Sequence, residues 1–201
     1  NALYAKIIES ENAIATAKRF YAWEYEREKL ADVINDASQA RQALDGGNFS
    51  LSRSLASSAI NAAQEVTRIA KRKSFRDRMN TLNSNLNEAQ KVGAGYYQVN
   101  DLSAVLEQIQ NIKNEFDPEN YEDFQDKVNL LEAQLAGLVE MTPQVLTDLV
   151  LAMQERLDEL EVRGARTYLP EKVNQVELKV KYSQMDYRSQ DYRSSYSNAR
   201  D

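Results

Sequence analysis

Residues 49–72 read FSLSRSLASSAINAAQEVTRIAKR. Leu51, Leu55, Ala59, Ala62, Val66 and Ile69 recur there in steps of 4, 4, 3, 4 and 3 residues. That spacing places them on one face of an α-helix, since side chains three and four residues apart share a face at 3.6 residues per turn. The stripe continues through Phe75, Met79, Leu82, Leu86 and Ala89. Upstream, Leu30, Val33, Ile34, Ala37 and Leu44 follow the same period. Downstream, so do Leu102, Val105, Leu106, Ile109 and Ile112, then Leu131, Leu135 and Leu138, then Leu146, Leu149, Met153, Leu157 and Leu160. No segment alternates with a period of two, so the chain is read as all-α.

Punctuation divides the stripes. Asp117-Pro118 and Thr142-Pro143 each put a capping side chain before a proline, which costs no hydrogen bond at the first helical position. Pro170-Glu171 reads the same way with a poorer cap. Gly46-Gly47, Gly93 with Gly95, and Gly164 mark stops. The expected helices are 2–20, 23–44, 49–92, 98–115, 119–140, 143–162, 170–189 and 191–200. At about 1.5 Å per residue the 49–92 helix would run roughly 66 Å, which predicts an elongated bundle or array with one long helix.

The stripes also repeat. Tyr25, Tyr97 and Tyr168 align at offsets of 72 and 71 residues. Five residues on stand Leu30, Leu102 and Val173; twelve on, Ala37, Ile109 and Val180; nineteen on, Leu44, Phe116 and Tyr187. At twenty-three and twenty-four come Asn48-Phe49, Asn120-Tyr121 and Asp191-Tyr192. Gly93-Ala94 matches Gly164-Ala165 just before the aligned tyrosines. Three related helical-hairpin units follow, over 1–92, 93–163 and 164–201, the third running about ten residues into its second helix.

Composition narrows the chemistry. The chain of 201 residues has no Cys and no His. Thiol nucleophiles, disulfides, Ser-His-Asp triads and His- or Cys-based zinc sites are excluded, as are the Glu-x-x-His pairs of di-iron bundles. Gly93-Ala94-Gly95 has no third glycine and no preceding strand, so it is no dinucleotide loop. No cofactor, metal or catalytic set is expected, and the protein is read as a non-enzyme. No uninterrupted run of about 18 apolar residues occurs, so no transmembrane segment is expected. The chain begins at Asn1 rather than Met, which fits a removed leader or a trimmed sequence, and zero Cys fits an oxidising compartment or plain chance.

Two clusters are candidate contact sites. Arg68, Lys71, Arg72, Lys73, Arg76 and Arg78 put six positive charges into eleven residues of the long helix, a candidate patch for an anionic partner. The plain alternative is a solvated helix face. Nucleic acid is not expected, given a net charge of −6 and no base-reading motif. Phe20, Tyr21, Trp23 and Tyr25 form a candidate aromatic anchor, or else the packing of a helix joint. The acidic run Glu115, Asp117, Glu119, Glu122, Asp123 and Asp126 lacks the glycine of a calcium loop, and its Asp117 and Glu119 read as first-turn acids facing a helix dipole.

The stretch Tyr168-Leu169-Pro170-Glu171, a helix, then Gln190-Asp191-Tyr192 with Ser195 and Ala199 has a counterpart in the first unit. There Tyr21-Ala22-Trp23-Glu24 leads through a helix to Gly47-Asn48-Phe49-Ser50 and Arg53-Ser54-Leu55-Ala56. This resembles a family of uncharacterised helical repeat domains of bacterial envelope lipoproteins. Its pattern is Ala-x-x-Tyr-x-Pro-Glu, a helix, Gly-Asp-Tyr, and a helix with spaced Ala. The likeness covers Tyr21–Ala63 and Tyr168–Arg200; Trp23 replaces the proline, and Tyr97-Gln98-Val99-Asn100 lacks Pro-Glu. If Tyr21 rather than Tyr25 is the motif tyrosine, the first unit holds one extra helical turn. Such domains often stand between a lipidated N-terminus and an OmpA-like, peptidoglycan-binding domain, and a spirochaete lipoprotein is the nearest comparison.

The resemblance implies a structural module of the periplasm or outer envelope, with protein partners. It also implies a membrane tether through a removed N-terminal lipid anchor and a further domain after residue 201. The competing expectation is an intracellular spectrin-like or coiled-coil adaptor that binds helical partners, in the cytoplasm.

Overall fold

A computed structural model describes residues 2–200. Among them there is no strand. The helices are α1 (Ala2–Arg19), α2 (Ala22–Tyr25), α3 (Arg27–Asp45), α4 (Phe49–Lys91), α5 (Ala94–Tyr97), α6 (Val99–Glu115), α7 (Tyr121–Val162), α8 (Ala165–Tyr168), α9 (Pro170–Arg188) and α10 (Tyr192–Arg200). A 3₁₀ turn, Pro118–Asn120, precedes α7. The all-α expectation holds; the expected long helix is α4, of 43 residues, and α7, of 42, is nearly as long.

The chain forms two compact bodies: residues 1–80 with 116–123, and residues 81–115 with 124–201. In the first, Ile14 and Ala17 of α1, Leu30, Val33 and Ala37 of α3, and Ala59, Ala63, Val66 and Ala70 of α4 share one core. The small alanines of α4 let neighbouring helices approach closely. A second cluster joins Ile7, Ala40 and Ala56. In the second body, Tyr97, Leu146, Val150 and Val180 are buried, with Tyr187, Tyr192 and Tyr196 packed on them. These bodies divide the chain otherwise than the sequence units 1–92, 93–163 and 164–201.

The repeat is written in the backbone. Tyr21, Gly93 and Gly164 all lie in the left-handed region, at φ 65°, 90° and 84°. Each opens a one-turn helix that stops at Glu26, Gln98 or Leu169, with φ near −140° (−142°, −133° and −138°). The same bonds recur: Glu26, Gln98 and Leu169 donate their N–H to Ala22, Ala94 and Ala165 at 2.8, 2.9 and 2.7 Å. So Tyr25, Tyr97 and Tyr168 are the matching tyrosines, and the first unit has no extra turn.

The helix-to-helix loops match as closely between the first and third copies. Asn48 N–H bonds to Ala43 and Asp191 N–H to Asp186, at 2.8 and 2.9 Å, the six-to-one closure of a Schellman end. Asn48 and Asp191 side chains then cap α4 and α10 by accepting from Leu51 and Ser194 N–H at 3.2 and 3.1 Å. Ser52 Oγ donates to the Ala40 carbonyl at 2.8 Å, and Ser195 Oγ to the Ser183 carbonyl at 2.7 Å. The middle copy differs: Asp117, not Asn120, caps the 3₁₀ turn, accepting from Glu119 N–H at 2.9 Å.

One expectation needs correction. Pro143 does not start a helix; α7 runs through it. Proline deletes one i→i−4 bond, but the apolar stripe of Leu135, Leu138, Leu146 and Val150 stays buried on both sides, which favours continuing the helix. Thr142 Oγ1, instead of capping, donates back to the Leu138 carbonyl at 2.6 Å. The Pro118–Val162 segment holds no uninterrupted apolar run, yet by length and composition alone one window in it is apolar enough to cross a membrane. In its body that helix buries Leu131, Leu135 and Leu138, while Leu130, Met141 and Leu151 are exposed.

Candidate functional site

The most elaborated surfaces are the left-handed turns and what sits on them. At the first turn, Phe20 is buried and meets Tyr121 edge-on, with ring centroids 5.8 Å apart. Tyr121 is 2% exposed, and its hydroxyl lies 2.5 Å from Ser74 Oγ of α4. Beside it Phe75 stacks on Phe116 at 3.7 Å. The loop of the second copy is therefore seated on the turn of the first.

The basic cluster divides around this joint. Lys71 reaches inward, donating to the Pro118 carbonyl at 2.9 Å and standing 4.3 Å over the Phe20 ring, a cation–π geometry. Lys73 donates to the Tyr25 carbonyl at 3.1 Å and pairs with the buried Glu26 carboxylate, which Lys29 also contacts at 3.0 Å. These charge-assisted bonds hold the Glu26 carboxyl below its ordinary value, against the opposing effect of burial. Arg68, by contrast, bonds Glu65 on the surface through two nitrogens at 2.8 and 2.9 Å. Arg72 and Arg76 are exposed and Arg78 is half-buried. Arg68 and Lys71 line an open groove of about 620 Å³ with Glu65 and Glu119, so acids interrupt the positive face.

The aromatic group divides too. Phe20 belongs to the core and Tyr25 is half-buried, whereas Tyr21 and Trp23 are exposed. Lys18 stands 5.8 Å over the Trp23 ring. Thus the four residues lie at one turn, but only Tyr21 and Trp23 face outward.

The second turn carries the same seat with different chemistry. Gly93 is pressed by Tyr192; a Cβ there would stand 2.8 Å from its ring. Tyr97, 9% exposed, meets Tyr187 and Tyr196 edge-on at 5.9 and 5.4 Å. Ser195 Oγ lies 2.5 Å from the Tyr97 hydroxyl. Because Ser195 gives its proton to the Ser183 carbonyl, the Tyr97 hydroxyl is the donor between them. Burial pushes the Tyr97 and Tyr187 phenols up from 10.0. Where the first copy has Glu26 and Lys73, the second has Gln98 hydrogen-bonded to the Thr142 hydroxyl, whose own proton goes to the Leu138 carbonyl.

Glu26, Ser74 and Gln98 escaped the sequence reading as site residues, and Thr142 entered it only as a helix cap. Glu26 and Gln98 directly follow the aligned tyrosines, and that position was the available signal. Tyr121 and Tyr192 stood in the repeat as aligned aromatics, but nothing in their spacing says they seat on the preceding turn. Among the described residues no group of three or more His, Cys, Asp or Glu is arranged to hold a metal ion. No protein-family model, curated protein or solved structure matches this chain.

Proposed function

We propose that the chain is a non-enzymatic structural and interaction module, an extended helical spacer or scaffold of a bacterial cell envelope. The observation that carries this reading is the turn at Tyr21, Gly93 and Gly164, built three times and twice seated by an aromatic of the next copy. Repeats whose contacts run chiefly from neighbour to neighbour suit a length-setting or docking role. The envelope assignment is supported by the motif Tyr168-Leu169-Pro170-Glu171 with Asp191-Tyr192 and by the lack of cysteine. Protein partners, a lipid tether and a following domain belong to the same reading.

Small-angle scattering of the purified chain tests the spacer. A maximum dimension well beyond that of a sphere of 22.9 kDa is expected; a compact profile overturns it. Cell fractionation of the native protein tests the compartment, and recovery with the envelope is expected. A second reading, an intracellular spectrin-like adaptor, is favoured by α4 and α7, whose 43 and 42 residues exceed the needs of one hairpin. Recovery in the cytosol with helical partners would select it.

A further inference from the structure

We infer that the chain associates with itself head to tail, the first copy's helix-to-helix loop seating on the third copy's turn in a second molecule. The internal joints define the two halves of this contact. The seated half is the loop aromatic, Tyr121 in the second copy and Tyr192 in the third. The first copy has the third copy's loop, bond for bond, and its aromatic at that position is Phe49. Phe49 is 62% exposed, where Tyr121 is 2% exposed. A Cβ placed on the neighbouring Gly47 would meet nothing within 4 Å.

The receiving half is the turn. Ala22 is buried in α2, and Ala94 and Tyr97 in α5, but α8 has no buried residue. Tyr168 is 80% exposed, where its counterpart Tyr97 is 9% exposed. The backbone of the seat is nevertheless formed: Gly164 has φ 84° and carries the same bonds as Gly93. At Gly93 the space over the glycine is filled by the following copy's Tyr192; at Gly164 the nearest ring atoms belong to Tyr168 of its own turn, at 3.4 Å. Val162 beside the turn is exposed as well. Charge is complementary, with Asp45 exposed at the loop and Arg163 exposed at the turn.

A second copy supplies the complementary half, so the occupant follows from continuity with contacts the chain already makes twice. One face of each kind per molecule makes the contact heterologous, and it either propagates or closes into a ring. The internal joints draw in addition on Ser74 or Leu146 of a long helix. Among the described residues the third copy offers the turn alone, so the joint between molecules is the weaker one. This inference goes beyond the spacer reading and rests on the two faces alone; the domain which that reading places after residue 201 would compete with a second molecule for the turn.

Sedimentation velocity of the whole chain, from micromolar to near-millimolar concentration, tests it. Mass rising reversibly beyond 22.9 kDa and past the dimer is expected. Phe49→Ser and Tyr168→Ser should each weaken association at least about tenfold, the loss of one aromatic anchor. Both side chains are exposed, so helix content and melting should stay unchanged in each. A mixture of the two variants is the decisive arm: one keeps a seat and the other a loop, so it should form one-to-one dimers and nothing larger. A monomer at every concentration overturns the inference. So does association that survives both substitutions but is lost on replacing Leu178 and Tyr182, on the exposed outer face of α9.

Discussion

The joint at Tyr21–Glu26 and the joint at Gly93–Gln98 share a backbone and almost nothing else. The first is held by Lys71, Lys73 and Glu26, with Tyr121 on Ser74. The second is held by tyrosines, with Gln98 and Thr142 in place of the ion pair. The difference teaches what the turn requires: a residue tolerating positive φ, an alanine at the first helical position and an aromatic arriving from the next loop. The chemistry that locks it is free to vary, and the two joints should answer differently to perturbation.

The largest contrast is expected between two glycines. Gly93→Ala combines a left-handed alanine with a Cβ 2.8 Å from the Tyr192 ring, and should cost about 3 kcal/mol. Gly164→Ala has similar φ but meets only the mobile-ended Tyr168 ring at 3.4 Å, and should cost about 1 kcal/mol. Urea melts of the two variants check this; equal losses would mean that the seated ring contributes nothing.

Next comes acid. The Glu26 carboxyl is lowered from 4.5, so its contribution is complete above 4.5 and disappears as pH falls through the depressed value. Glu26→Gln should remove about 2 kcal/mol at neutral pH and flatten the acid limb of unfolding. Amide exchange resolved by residue should place that loss in the first body and leave the second unaffected.

Alkali should reverse the ranking. Tyr97 and Tyr187 are raised above 10.0, so burial of the neutral phenols supports the second body up to that pH and is lost as pH rises through the higher values. Tyr25 of the first joint is raised as well, chiefly by burial. Ultraviolet titration should show late-ionising tyrosines, and Tyr97→Phe should remove one of them at a cost of about 1 kcal/mol.

The smallest effect is expected at the loops. Gln190 occupies the left-handed site, φ 65°, that Gly47 fills at φ 77° in the first copy. Gln190→Gly should raise stability by about 0.5 kcal/mol, and Gly47→Gln should lower it by about 1 kcal/mol. Thermal melts check both.

Much of this was legible in the residues. Apolar period gave the helices, the tyrosine spacing of 72 and 71 gave the copies, and the Asn/Asp-aromatic pairs aligned their loops. Tyr21 was misleading because a left-handed tyrosine has none of the signal that Gly93 and Gly164 carry. Pro143 was misleading because proline at a first turn and proline inside a well-packed helix look alike until the neighbours are known. The inward turn of Lys71 and Lys73 was hidden for another reason: their partners, Pro118 and Glu26, lie 47 residues away in either direction.

Ser183 and Ser195 exchange hydroxyl bonds across the α9–α10 hairpin, each donating to the other's carbonyl, at 2.9 and 2.7 Å. Sliding one helix past the other by a single position would break both at once, whereas greasy surfaces can slip and re-settle. The middle copy has buried Ile112 and apolar Phe124 at these positions. Under mechanical load the clasped hairpin should therefore yield abruptly, like a latch, and the middle one should creep.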